Sequence, residues 1–568
     1  MNPIFSYDYL FPIISIFLIL AIGGKGLFKG GIKHAQQYTF YKIDIYVFIF
    51  LAFYILNKYF LSAVSFVIAD YFRILAISTF YIILRLFICG NEGRKKNLIV
   101  VFALLGIYEA FVALLQVVEG GTMVGSFGNR AVLANFFAAI LPFLYWTLVT
   151  RVRSKGWSII TIPIALSIFL ILYLVFFHSF SRTAILSILI TSIVALCIEY
   201  KSLWTICFRK KNLPAFLFGI GCLCFILVTL LLSKKDSTNG RWFVICREIE
   251  LLKQNFITGI GFGNFERVYN QYQAEYFSQH NIATEKYLAS YINVNYNEIL
   301  DFLLQGGIFG FVLLSIITVK IFNLCRNSDK NNLVFVYSII SLTILGTFSY
   351  PSETLVIVCI FIFSLSELGS LKNEQVRSIT LPKPLVFLLV SGISIFIIAG
   401  ILSRYNNILR WHVIKTKSAS VQSSNADISN AYKDIAKKLS NDPVVLIDYG
   451  KYLMKNSQYT EAIGVLKEAS LYSSNHTIFM YLGESYEKLG DHSLAIRYYK
   501  YASVLIPNLF YPKYRLMNIY KNNGMNQDCL RTAMEITQQP IKVESRVVRE
   551  IKSAAIEVQN MLQRKPLK

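Results

Sequence analysis

The chain has 568 residues, of which 55% are hydrophobic and only 16% charged, with a formal net charge of +23. A mean hydropathy of +0.50 excludes an ordinary soluble globular protein and calls for a polytopic membrane protein. The positive excess would suit a phosphate backbone, but it is gathered in alternate loops, so it reads as an orientation signal and no nucleic-acid partner is expected.

Apolar runs long enough to span a bilayer fall near 9–22, 41–57, 71–89, 97–118, 131–150, 158–179, 183–199, 214–233, 307–322, 332–349, 353–368 and 384–402. The expected fold class is therefore all-α: about twelve membrane spans over residues 1–402, then a soluble helical domain over 403–568. No Lys or Arg precedes the first run and no small-residue cleavage motif follows it, so a cleavable signal peptide is not expected. Basic residues cluster at Lys25, Lys29 and Lys33, at Arg94, Lys95 and Lys96, at Arg151, Arg153 and Lys155, at Arg209, Lys210 and Lys211, at Arg326 and Lys330, and at Lys372 and Arg377. Those loops are read as cytoplasmic. The intervening loops at 119–130, 180–182, 234–306 and 350–353, with the C-terminal domain, then lie on the opposite side. Nine cysteines are scattered with no disulfide framework and no metal-ligand spacing; only Cys246 and Cys529 would face an oxidising compartment, in different domains.

Along the spans, Arg85 lies one turn from a cytoplasmic end and is expected to snorkel to the headgroups. Glu109 falls mid-span, where an ionisable residue is either functional or a protonated carboxyl bonded to a neighbour. A turn at Gly125 to Asn129 leads to Arg130, which reads as a headgroup anchor or as a ligand-binding cation. At Ser181 and Arg182 a helix begins, and its N-terminal N–H groups and dipole favour an anion. Arg182 adds a planar fork suited to bidentate phosphate contact, or simply anchors the helix end.

The long polar interruption at 234–306 is the feature around which the spans are arranged, since loops of this length are usually functional. Arg241 and Arg247 lie on an expected helix from about Asn239, where Trp242, Ile245, Ile249 and Leu252 recur at helical spacing. The glycine-rich stretch from Gly259 to Gly263 has no flanking strand and no following Lys-Ser/Thr, so it reads as a backbone turn rather than a nucleotide loop.

Three blocks resemble the O-antigen ligase family, which includes O-antigen polymerases and protein O-oligosaccharyltransferases. They are Gly125 to Asn129 with Ala134, Asn135, Leu141 and Pro142; Phe180 to Thr183 around the Ser-Arg pair; and Tyr296, Asn297, Leu300, Gln305, Gly307 and Gly310 at the loop end. The resemblance implies a glycosyltransferase at the periplasmic face of a bacterial inner membrane. Transfer would be inverting and metal-independent, from an undecaprenyl-diphosphate-linked glycan to an acceptor hydroxyl on lipid A core, another glycan or a protein, with no cofactor. It implies Arg182 and Arg241 on the diphosphate, with Arg130, Arg247 and Asn297 as further substrate-binding candidates. The family's loop histidine, its proposed base, is replaced here by Tyr296. Because a phenol with a pKa near 10 is a poor base at neutrality, Glu298 and His280 stand beside Tyr296 as candidates. A transporter or a scaffold is the alternative from another class; a transporter would call for several charged spans and an internal repeat.

Beyond Ser403, Leu482, Gly483, Tyr486, Ala495, Tyr499, Ala502 and Pro507 follow a tetratricopeptide pattern. A preceding unit at Gly450, Leu453, Ala462, Leu466 and Ala469 is offset by 33 residues, and a degenerate one follows through Leu516, Tyr520, Cys529 and Ala533. Helices near 425–440 and 543–562 would cap the array, which reads as a spacer or as a protein-partner dock.

Overall fold

The computed structural model describes residues 35–61, 68–179, 181–199, 235–370, 374–420 and 426–564. The expected spans at 9–22 and 214–233, and Phe180 of the Ser-Arg block, lie outside the described residues.

Strand β1 (Ala35–Tyr41) runs into α1 (Lys42–Leu61), and α2 (Ile68–Ile83) continues into a π turn at Leu84–Ile88. Next come α3 (Glu92–Val118), α4 (Arg130–Lys155), α5 (Thr161–Tyr173) with a second π turn at Leu174–Ser179, and α6 (Arg182–Glu199). The polar loop holds α7 (Lys235–Gln254), α8 (Phe265–Gln279) and the short α9 (Ala283–Leu288). The chain re-enters the bundle with α10 (Glu298–Arg326), α11 (Leu333–Phe348) and α12 (Leu355–Leu368), then β2 (Gln375–Pro382) and the long α13 (Lys383–Ser420). Eight helices among the described residues are long and apolar enough to cross a membrane, and the shorter apolar α12 coincides with another expected span. The protein is thus an all-α, multi-pass membrane protein.

One small element departs from that class. β1 and β2 pair antiparallel, Ala35 opposite Pro382, and so join the starts of α1 and α13. Isolated short strands between spans carry too weak a pattern to be read from sequence.

Helix α4 is the centre of the bundle: two-thirds (67%) of its most apolar window is buried, against 11% for the peripheral α10. Phe363 of α12 gathers Phe102, Phe143 and Phe335 around it, with ring centroids 5.8, 6.0 and 5.1 Å away. Between helices with little hydrophobic drive to associate in lipid, small polar residues act as fasteners. Ser187 of α6 meets Ser341 of α11 at 2.8 Å, and the Ser341 hydroxyl donates to the Ala138 carbonyl of α4 at 2.9 Å. These bonds fix the helix that begins with Arg182 against the helix that ends at Phe348.

Arg85 does not snorkel. Its guanidinium is buried and donates to both carboxylate oxygens of Asp44, at 2.7 and 2.9 Å, and to Ser370 and the Ser366 carbonyl at 2.8 and 2.9 Å. The π turn carrying Arg85 directs it inward, where Asp44 at the start of α1 compensates the charge; a partner so distant in sequence was not legible beforehand.

The C-terminal helices are α14 (Ala426–Lys438), α15 (Pro443–Lys455), α16 (Tyr459–Tyr472), α17 (His476–Lys488), α18 (His492–Leu505), α19 (Phe510–Asn522), α20 (Asn526–Gln538) and α21 (Arg546–Arg564). They stack as antiparallel pairs. Gly483 lets α17 and α18 approach closely, since a β-carbon there would stand 2.6 Å from the Tyr499 ring. The expected boundary at 402/403 lies inside α13, which leaves the bundle as one continuous helix. Its far end enters the helical domain through an Arg404–Asp442 ion pair at 2.9 Å and a 2.9 Å bond from the buried Trp411 to Asp448.

Candidate active site

Arg182 opens α6, and its guanidinium donates to the Thr238 hydroxyl at 2.8 Å. Arg241 lies on the same face of α7 less than one turn further on, and donates to the Phe348 carbonyl at 3.1 Å. The two guanidiniums are close enough to repel each other. Side chains from a span and from the polar loop are thereby gathered at one outer corner, where a ligand with several negative charges would offset the repulsion.

Tyr296 completes this corner. The Arg241 guanidinium lies over its ring, 4.8 Å from the centroid, and Tyr350 lies beside it at 6.1 Å. Burial pushes the phenol above its ordinary value of 10.0, the Arg241 charge pulls it back, and Tyr350 and Glu248 push it up further; the sum is upward. Tyr296 is therefore a neutral phenol near pH 7, able to donate a hydrogen bond or orient Arg241 but a weak base.

The segment reaches the corner by a crossing of two backbones. Helix α10 breaks at Gly307 (φ 62°, ψ −162°). The glycine-rich stretch lies against the break like a short strand, with bonds from Ile260 N to Leu304 O, Gly261 N to Gln305 O and Ile308 N to Phe256 O of 3.0, 3.0 and 2.9 Å. The Gln305 side chain adds a bond from Gly263 N–H at 2.6 Å. The turn expected at Gly259 to Gly263 is a clamp on the broken helix.

Glu298 and Asn297 start the outer half of α10, each already engaged. The Asn297 side chain caps the helix, accepting from the N–H groups of Ile299 and Leu300, both at 3.0 Å. Glu298 accepts from the Ser352 N–H at 2.5 Å, and its other oxygen faces Gly346. The remaining candidates stand apart. Arg247 is buried against Tyr276, 4.0 Å from its ring centroid, and pairs with Glu250 at 2.9 Å. His280 is exposed and stacks on that same Tyr276 ring, with ring centroids 4.4 Å apart. Arg130 is exposed at the start of α4, and no described contact joins it to the arginine pair. Glu109 accepts from the Ser126 N–H at 3.0 Å, so it braces the turn at 125–129.

The corner also contains residues that the sequence reading passed over. Phe348 to Glu353 forms a turn between α11 and α12 on which almost everything converges: Arg241 on the Phe348 carbonyl, Asn135 on the Ser349 hydroxyl at 2.9 Å, Glu298 on the Ser352 N–H, and Arg73 of α2 on the Ser352 carbonyl at 2.5 Å. Below it lies Glu248, seven residues and two turns after Arg241 on the same face of α7. It is 0% exposed, and neither oxygen has a protein hydrogen-bond partner among the described residues. Burial and the nearby Asp301 raise its pKa well above 4.5, while the Asn295 amide, short of hydrogen-bond geometry, opposes this. Helical spacing from Arg241 was the signal that could have found it.

A stability consequence follows. Because folding raises this pKa, the folded chain binds the Glu248 proton more tightly than the unfolded one, and stability falls as pH rises from the ordinary carboxylate range toward the raised value. Glu248→Gln will be more heat-stable than the wild type in detergent at pH 8, by on the order of 1–3 kcal/mol, with the difference shrinking toward pH 4.5. A destabilised variant at pH 8 would contradict it.

The loop is held from outside by the C-terminal domain. Glu266 of α8 accepts from the Ser473 hydroxyl at 3.1 Å, the Ser474 N–H at 3.0 Å and the Tyr291 hydroxyl. Gln273 donates to the Leu505 carbonyl at 2.8 Å, and Asn508 to the Ala289 carbonyl at 2.5 Å.

No curated protein matches the chain. Residues 166–315, from α5 through both arginines, the polar loop and the broken start of α10, match the family model described as O-antigen ligase, which supports the O-antigen ligase family for this region.

Proposed function

We propose that the chain transfers a glycan from an undecaprenyl-diphosphate carrier to an acceptor hydroxyl at the outer, periplasmic face of a bacterial inner membrane. The convergence of Arg182 and Arg241 inside the region that matches the O-antigen ligase family carries this reading. The acceptor oxygen attacks the anomeric carbon with inversion as the bond to the diphosphate breaks. The two guanidiniums hold the departing diphosphate, whose charge grows along the reaction, and so favour the transition state over the bound donor. Asn297 and Glu298 keep the start of α10 in register with the turn at 348–353, and Tyr296 orients Arg241. The acceptor is lipid A core, a growing glycan or a protein. The paired C-terminal helices, read as tetratricopeptide-type repeats, hold the loop and leave their other faces for a protein partner.

In cells dependent on this chain, Arg182→Ala will accumulate the lipid-linked glycan and lose the glycosylated product, with the protein still present in the membrane. The identity of the lost product names the acceptor. Normal transfer by a well-expressed Arg182→Ala chain would overturn the proposal.

A further inference from the structure

Three carboxylates act on one another at the turn, those of Glu298, Asp301 and Glu353. Two of them face protein. Glu298 is taken up by the Ser352 N–H and Gly346, while Asp301 accepts from Gln305 at 2.6 Å and has its other oxygen shut off from solvent. The side chain of Glu353 is 51% exposed, so it is the member of the three that can meet a substrate. It is also held in place: Arg73 grips the Ser352 carbonyl with one nitrogen at 2.5 Å and approaches the Glu353 carboxylate with the other at 3.7 Å. The same short turn is fixed at its other end by Arg241 on Phe348 and carries Tyr350 beside Tyr296. The Glu353 carboxylate and the Arg241 contact thus lie on one short turn.

We propose that Glu353 is the general base, with Arg73 as its positioning residue. This rests on the transfer reaction proposed above. The acceptor oxygen forms its bond to the anomeric carbon while its proton passes to the Glu353 carboxylate. The bond from the anomeric carbon to the phosphate oxygen breaks, and the electron pair leaves with the diphosphate on Arg182 and Arg241. Glu353 then releases the proton to water through its exposed side. Tyr296, a neutral phenol, and His280, stacked on Tyr276, are not required as bases.

The test uses full-length variants in membranes of cells lacking the native chain, which supply both lipid-linked donor and acceptor, with kcat and the donor KM followed separately. Glu353→Gln will lower kcat by about 100-fold or more with the donor KM within about twofold, as for loss of a general base. Glu353→Asp will keep a measurable part of the rate, and its recovery shows that the fold survives changes at this position. Arg73→Gln will lower kcat less than Glu353→Gln does, with the donor KM within about twofold, and Arg73→Lys, which keeps the cation, will restore part of that loss. Equal losses in Glu353→Gln and Glu353→Asp, or losses that fall on the donor KM rather than on kcat, would reduce the pair to a structural clasp and overturn the inference. Full activity of Glu353→Gln while Arg182→Ala is inactive would remove the base and leave the transfer reaction standing. Full activity of Arg182→Ala would remove the reaction itself.

Discussion

Replacing Arg241 with alanine will lower glycan transfer by about 100- to 1,000-fold, the loss expected when one preorganised donor to a developing anion is removed. The effect should fall on kcat more than on KM, because in the proposed reaction the charge that faces Arg241 grows as the diphosphate departs. Arg241 also stacks on Tyr296 and bonds the Phe348 carbonyl, so part of the loss is positional. Two further variants separate the parts. Arg241→Lys keeps the charge and loses the planar fork, and will recover only a fraction of the rate. Tyr296→Phe keeps the ring under the guanidinium and removes the hydroxyl, and will retain most of it. Single-turnover measurement on a lipid-linked donor decides the matter, and an Arg241→Ala chain with normal kcat would contradict the assignment.

Gly307→Ala will severely destabilise the fold. A β-carbon at Gly307 would stand 2.4 Å from the Ile257 carbonyl oxygen and 2.6 Å from the Gly259 nitrogen, and the reciprocal substitution at Gly259 would meet Gln305 O at 2.3 Å. These are backbone atoms, which cannot swing aside as a side chain can. The backbone at Gly307, at φ 62° and ψ −162°, also lies where side-chain-bearing residues are strained by about 1–3 kcal/mol. Together the two terms exceed about 4 kcal/mol, a large share of the roughly 5–15 kcal/mol that holds a typical fold. Gly392→Ala is the control: it lies in α13 with open space around it, and will be neutral or slightly stabilising. Yield of monodisperse protein after detergent extraction, followed by thermal unfolding, distinguishes the two.

What could be read in advance was whatever has a local signature. Apolar runs gave most spans, helical spacing gave α7, and the glycine pattern gave the crossing at Gly259 to Gly263. Arg182 and Arg241 were singled out from a helix start and a loop helix, and the fold brings them together. What escaped was set by contacts between distant segments. Asp44 and Arg85 are 41 residues apart, so Arg85 looked like a headgroup anchor. Glu353 and Arg73 are 280 residues apart and sit in a Pro-containing turn and near a span end, places where a charged residue is unremarked. Asn297 and Arg247 carry suitable chemistry, but a helix cap and the Tyr276–Glu250 contacts use it for structure. His280 was eligible as a loop histidine where a base was sought, and the fold stacks it on Tyr276.

The grip of Ser473 and Ser474 on Glu266 joins segments 207 and 208 residues apart. During synthesis the polar loop emerges long before the residues that steady it, and all of α10 to α16 must be laid down first. These contacts therefore form only once nearly the whole length has been made and the helical domain has met the loop. The same arrangement governs recombination. A loop exchanged between related chains without its matching helical domain would lose the Glu266, Gln273 and Ala289 contacts at once. The loop and the C-terminal helices pack as a single unit, although the four helices α10 to α13 lie between them in the chain.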